Sequence, residues 1–139
     1  MTSRIHIVGI GDDGFQGLTG HARQLIEQAE VVLGTTPLLR KIPATNAERI
    51  EIGAGLESLK DTIVKLPKRS TVMLAGGDPL FYGIARYLTD SFGKDRFEVV
   101  PHVSSMQLAF ARVKESWDDA YLTNLATQSL DRVVDNIRT

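Results

Sequence analysis

Cysteine is absent from the 139 residues, which excludes disulfides, thiolate zinc ligands and cysteine nucleophiles and fits a reducing compartment. Charge of one sign is missing as well. With 16 basic and 17 acidic residues the formal net charge is -1, and no basic run occurs, so a nucleic-acid partner is not expected. Long apolar stretches are also lacking. The one near the start, Ile5 to Ile10, is interrupted by His6 and Gly9 and followed by Asp12 and Asp13, too short for a signal core or a membrane span. No His, Asp and Glu group shows metal-ligand spacing, so no metal is expected, and Gly-x-Ser-x-Gly does not occur. The composition is that of an ordinary soluble protein, expected in the cytoplasm.

What is present is alternation. Short apolar runs and amphipathic stretches follow one another along the chain, the pattern of an open, mostly parallel α/β sheet with flanking crossover helices. Strands are predicted at Arg4 to Val8, Val31 to Gly34, Arg49 to Ile52, Thr71 to Ala75 and Phe97 to Val100; the fourth is continuously apolar and suits the sheet centre. The first helix spans Thr19 to Glu30, with Thr19 as N-cap and Ala22, Leu25, Ile26 and Ala29 on one face. Thr36 caps a short helix opened by Pro37 and running through Arg40. Two more run from Gly55 to Leu66, stopped by Pro67, and from Gly83 to Phe92; another follows Ser104 or Ser105 and carries Met106, Leu108, Ala109 and Val113. A boundary near Trp117 divides residues 1–115 from 116–139. Beyond it lie one apolar triplet, Ala120 to Leu122, read as a strand, and a helix striped by Leu130, Val133, Val134 and Ile137. That stripe calls for a partner surface, on the first domain, on further sequence or on another subunit, which makes a homo-oligomer or a partner subunit the expected use of this helix.

In an open α/β sheet ligands bind at the carboxyl ends of the strands, which nominates three loops. The first, Gly9 to Gly14, fits G-x-G-x-x-G, but Phe15 to Leu18 intervene before the helix, two carboxylates would oppose a pyrophosphate, and no acid ends the second strand. A dinucleotide-binding oxidoreductase and a plain glycine turn both stay open for it. The second loop, Gly76-Gly77-Asp78-Pro79-Leu80-Phe81-Tyr82-Gly83, offers main chain that a ligand can approach closely; its plain alternative is a tight turn in which Asp78 caps the next helix. The third, Pro101 to Ser105, sets two hydroxyls at a helix start, where bare capping is the commoner use. His6 reads as a packed or edge residue and His21 as exposed, leaving His102 as the only histidine in a candidate loop. Lys60, Lys65, Lys68 and Arg69 read as a solvated face and turn.

With these loops in hand, the sequence resembles the tetrapyrrole methylase family, and within it the precorrin-6Y C5,15-methyltransferases, in the part that methylates. The resemblance is carried by Val8 to Gly14 with Leu18-Thr19, by Ala29 to Gly34, by Gly76 to Gly83, and by Pro101 to Ala111 with Trp117 to Ala120. It implies a two-domain α/β enzyme that holds S-adenosylmethionine between its domains and methylates a precorrin during cobalamin synthesis. Carried over by motif, the cofactor contacts would be Gly76, Gly77, Asp78, Phe81, Ser104 and Ser105, with Asp12 at the nearest position of the first loop; many relatives have proline where Asp12 stands. Measured against the family, the second domain is expected to be incomplete, and this piece is expected to fold while binding cofactor weakly or not at all. Arg40, Arg49 and Arg112 are candidates for the substrate's carboxylates. A non-catalytic assembly module docking through the last helix is the remaining alternative.

Overall fold

The computed structural model of the chain describes residues 4–53, 55–66, 68–122 and 129–138. Five strands, Ile5–Ile10 (β1), Val31–Gly34 (β2), Glu48–Glu51 (β3), Thr71–Gly76 (β4) and Phe97–Val100 (β5), form one sheet in the order β3-β2-β4-β1-β5. Every pairing in it is parallel. The helices are Gly20–Gln28 (α1), Thr36–Leu39 (α2), Leu56–Val64 (α3), Ile84–Phe92 (α4), Ser105–Val113 (α5) and Leu130–Arg138 (α6).

Alternation of side chains across the pleat explains why β1, β2 and β4 are apolar at nearly every position: both faces are covered. Ile5, Ile7, Val31, Leu33, Met73 and Ala75 pack with Leu59 and Ile63 of α3 and Ala85 and Leu88 of α4. Val8, Ile10, Val32, Val72 and Leu74 pack on the other face with Leu18 and with Ala22 and Ile26 of α1. Ile7 and Ile26 are wholly buried, and each such side chain stabilises the fold by about 1.5–3 kcal/mol relative to exposure. β4 stands in the middle of the sheet, where its apolar run placed it.

Several boundaries differ from the reading of the sequence, for visible reasons. β1 continues through Gly9 and Ile10 because Ala75 and Gly76 of β4 are there to pair with them. Thr19 caps α1 as expected, its hydroxyl accepting from Ala22 N–H at 3.2 Å. The short helix starts a residue early: Leu39 N–H reaches Thr35 O, so Thr35 holds the cap position, and the Thr36 hydroxyl donates instead to the Glu51 carboxylate. Pro67, read as the stop after α3, lies outside the described residues.

Polar side chains tie the amino rim. Arg69 donates to Glu48 Oε2 at 2.8 Å, Glu30 Oε2 at 3.3 Å and Glu30 O at 3.2 Å, so it bridges the starts of β2 and β3 rather than lying free on a solvated turn. The hydrogen bond to Glu48, ahead of that to Glu30, raises the guanidinium above its ordinary pKa. His6 lies partly buried on the inner strand β1, between β4 and β5, its Nε2 2.9 Å from Glu98 of the neighbouring β5. Arg49 of β3 donates to the carbonyls of Leu39, Ile42 and Pro43, the last at 2.6 Å, so its guanidinium braces the α2 loop.

The chain divides into two compact units, Met1–Ser105 and Met106–Thr139, so α5 groups with the second unit, ahead of the boundary read at Trp117. In that second unit Ala120 to Leu122 form no strand, and Ala120 N–H closes a turn onto Trp117 O at 3.1 Å. Of the stripe on α6, Val133 is buried while Leu130 and Ile137 stay exposed.

Candidate functional site

Because β4, β1 and β5 are adjacent and parallel, the turns that follow them leave the sheet side by side on one rim. They also touch. Gly77 N–H donates to Ile10 O at 2.9 Å, joining the second loop to the end of β1. A Cβ on Gly9 would fall 2.0 Å from Gly77 O, and one on Gly77 would stand 3.4 Å from Ser104 Cα. Glycine at 9 and 77 is thus what lets the three turns meet through their main chains.

The turn after β4 is built around its own residues. Gly77 has φ +63°, the left-handed region that glycine enters without strain. Asp78 Oδ1 accepts from Leu80 N–H at 2.9 Å and Asp78 O from Phe81 N–H at 3.0 Å. Asp78 therefore holds the turn and does not cap α4, whose cap position is Gly83 and whose Ala85 N–H reaches the carbonyl of buried Pro79. A Cβ on Gly83 would meet that carbonyl at 2.3 Å. Phe81 is half-buried and packs edge-on against Tyr82, whose φ of 49° is a strained conformation for a side chain of its size. Above Gly76, by contrast, nothing lies within 4 Å of where a Cβ would be.

Loop one folds back on itself through Gly14 N–H to Gly11 O at 3.0 Å and a 3₁₀ turn over Gly14–Gly17. Lys41 clamps it from the α2 side: its ammonium reaches Gly11 O at 3.2 Å and Asp12 Oδ1 at 3.6 Å, and its carbonyl accepts from Phe15 N–H at 3.3 Å. The Asp12 carboxylate is otherwise open to solvent. Asp13 lies over Gly17, where a Cβ would come within 1.8 Å of its Oδ2, and its Oδ1 stands 3.5 Å from His102 Nε2. The His102 side chain keeps only 16% of its surface exposed, with its ring against Gly11.

These contacts resolve the glycine fingerprint. Gly9, Gly11 and Gly17 make room for Gly77, His102 and Asp13, and Gly14 takes a left-handed φ of +65°, so their smallness is used within the protein. α1 begins only at Gly20, its first turn already bonded to Thr19, and offers the glycines no helix end for a pyrophosphate. The dinucleotide reading falls on that geometry.

The rim thus carries Gly76, Gly77, Asp78, Phe81, Ser104 and Ser105 together, with Asp12 on the adjoining loop. Ser104 is 5% exposed, against the Gly77 turn, whereas Ser105 faces solvent. Beside Gly76 opens a cavity of about 310 Å³, floored by Leu59, Met73, Ala75 and Ile84 and walled by Thr35 and Gly53 from the loops after β2 and β3. That volume is at the lower end of small-molecule pockets. Sequence reasoning missed this wall, although the Gly53-x-Gly55 pair after the third strand was its signal. Among the described residues no three His, Asp or Glu side chains gather to hold a metal ion, and no helix is long and apolar enough to cross a membrane.

A parallel sheet with glycine turns and a cavity at its carboxyl rim defines an α/β protein of the open-sheet class, in which small-ligand sites lie at the strand ends. Residues 4–137 match the family model described as Tetrapyrrole (Corrin/Porphyrin) Methylases, and the chain belongs to that family. It is 33% identical over 118 residues to the cobalt-precorrin-7 C(5)-methyltransferase of Salmonella typhimurium, a match covering 85% of this chain and 59% of that protein. With the decarboxylating precorrin-6Y C(5,15)-methyltransferase of Mycobacterium tuberculosis it shares 35% identity over 128 residues, 88% of this chain and 32% of the relative. The chain therefore spans between about a third and three fifths of the length of these relatives. Among solved structures, the precorrin-6Y methylase of Archaeoglobus fulgidus superposes with a TM-score of 0.64 at 26% identity, over 81% of this chain and 59% of that one. A uroporphyrin-III C-methyltransferase of Thermus thermophilus, solved with S-adenosylhomocysteine, superposes with a TM-score of 0.56 at 27% identity over 77% and 51%.

Proposed function

We propose that this chain carries the methyl-donor site of an S-adenosylmethionine-dependent C-methyltransferase that acts on a precorrin at C5, the position common to both relatives' names. One observation carries the reading. The Gly76-Gly77-Asp78 turn is open above Gly76, borders a cavity of about 310 Å³ and shares its rim with Ser104 and Ser105.

The residues fit such a donor. Space above Gly76 lets a ligand lie directly on main chain, and a side chain there would occupy that space. Asp78 and Asp12 are carboxylates suited to the ammonium and sulfonium of the donor. When bound, S-adenosylmethionine supplies an electrophilic methyl group for in-line transfer to carbon. The protein's contribution is alignment: the Asp78 bonds to Leu80 and Phe81 fix the turn, and Gly77 N–H fixes it to β1. Holding two reactants in register can supply roughly 7–11 kcal/mol of the barrier in favourable cases. Arg40 is exposed near the same rim and is assigned to substrate carboxylates.

Titration of the isotopically labelled chain with S-adenosylhomocysteine, followed by NMR, tests the reading at affinities as weak as about 1 mM, roughly 4 kcal/mol of binding. Shifts gathered at Gly76, Gly77, Asp78 and Ser104 are expected. Shifts at loop one with NADH and none with S-adenosylhomocysteine would overturn it.

A further inference from the structure

The proposed donor site uses the turn after β4 and the serines after β5, and leaves the Asp13 and His102 pair without a role. Their arrangement is specific. The His102 ring sits in a notch that exists only because Gly9 and Gly11 lack side chains: a Cβ on Gly9 would stand 3.1 Å from His102 Cβ, and one on Gly11 3.0 Å from ring atoms Cδ2 and Nε2. From that notch Nε2 faces Asp13 Oδ1 at 3.5 Å, across from a carboxylate already folded over Gly17. Two residues further along the chain from His102 is Ser104, whose main chain abuts Gly77.

We propose that His102 is a positioning residue for the donor site: paired with Asp13, it latches loop one to the turn after β5 and so sets where Asp12 stands relative to Gly77 and Ser104. The geometry favours the latch. Lys41 Nζ stands 3.6 Å from Asp12 Oδ1 and His102 Nε2 3.5 Å from Asp13 Oδ1, so each of the two neighbouring carboxylates of loop one faces a nitrogen from a different flank. Lys41 already holds the far side of the loop through Gly11 O and Asp12, so His102 is the second anchor, on the opposite flank. Besides it, the stretch from Asp12 to Gly17 is held by Gly14 N–H on Gly11 O, by its own 3₁₀ turn, by Lys41 and by the packing of Phe15 on the core.

The role assigned to the latch rests on the donor-site reading, but the latch can be tested without any ligand. Hydrogen exchange on the 139-residue chain reports the amides of Gly14, Phe15 and Leu18, which bond to Gly11 O, Lys41 O and Phe15 O. His102→Ala and Asp13→Asn are each expected to speed their exchange about five- to tenfold, an opening cost near 1–1.4 kcal/mol. Asp13→Asn with His102→Ala together should be no faster than either alone, and His102→Gln should recover part of the protection by keeping a donor toward Asp13. Unchanged exchange in both single variants, or effects that multiply in the double variant, would overturn the latch. NMR titration with S-adenosylhomocysteine then separates the two readings: weaker binding by latch variants with Gly76 shifts retained supports both, whereas a wild-type chain that shows protected loop amides and no ligand shifts keeps the latch and removes the donor site. Equal affinity in wild type and both latch variants removes the positioning role.

Discussion

Replacing Gly9 with alanine places a methyl carbon 2.0 Å from Gly77 O, 3.0 Å from His102 N and 3.1 Å from His102 Cβ. Two of these neighbours are main-chain atoms, so neither retreats by rotating a side chain. A carbon needs more than another ångström from that carbonyl, and the displacement pulls Gly77 N–H from Ile10 O, a bond now 2.9 Å long. Overpacking in a tight interior costs about 1–3 kcal/mol, and the lost hydrogen bond about 1 kcal/mol more. Gly9→Ala is therefore expected to destabilise the fold by about 2–4 kcal/mol, a fall of roughly 6–16 °C in Tm at this chain length. Gly76→Ala is the matched control on the partner strand. It meets nothing within 4 Å and its φ is not positive, so its Tm should stay within about 2 °C of wild type while ligand shifts at the rim are lost. Thermal unfolding followed by circular dichroism measures both. A Gly9→Ala chain as stable as Gly76→Ala would refute the claim that the three turns are in main-chain contact.

Two further outcomes follow from the same coordinates. Glu98 is held below its ordinary pKa of 4.5 by its hydrogen bond from Arg4 first and by the nearby His6 next. A depressed carboxylate stabilises the fold fully above its unfolded pKa and loses that contribution as pH falls through the folded value. The Tm advantage of wild type over Glu98→Gln should thus be present at neutral pH and be lost as the solution is acidified below the ordinary carboxylate range, and a gap that widens in acid would contradict it. Thr19→Ala removes the acceptor for Ala22 N–H and is expected to lower stability by about 1 kcal/mol in denaturant titration, while Thr36→Ala removes a hydroxyl bonded to Glu51 and not to the helix end, and should not show a capping loss.

Much of the fold could be read from residues because the signals were local. Val31 to Gly34 and Thr71 to Ala75 are apolar on both faces, which is what buried parallel strands require, and Thr19 stands where a cap must stand. Periodicity failed where local pattern and tertiary use part. Ala120 to Leu122 is apolar but closes a turn, and Arg69, adjacent to lysines in sequence, reaches two glutamates that the chain brings from Glu30 and Glu48. The site divides the same way. Gly76 to Gly83 announced itself as a glycine turn after an apolar strand, whereas the Lys41 clamp, the seat of His102 and the wall at Thr35 and Gly53 depend on strand order, which no single segment encodes. The fingerprint at Gly9 to Gly14 misled because glycine spacing reports close approach without saying what approaches.

The placement of β1 between β4 and β5 governs assembly order during synthesis. Ile5 finds its partners only at Thr71 and Phe97, so the earliest of the described strands must wait for the two latest, while β2 and β3 can already join as neighbours. A nascent chain carries β1 as an unsatisfied apolar ribbon until β4 and β5 have been made. The rim on which the three turns meet comes into being only when the emerging Phe97 to Ser104 stretch clears the ribosome and β1 is enclosed from both sides.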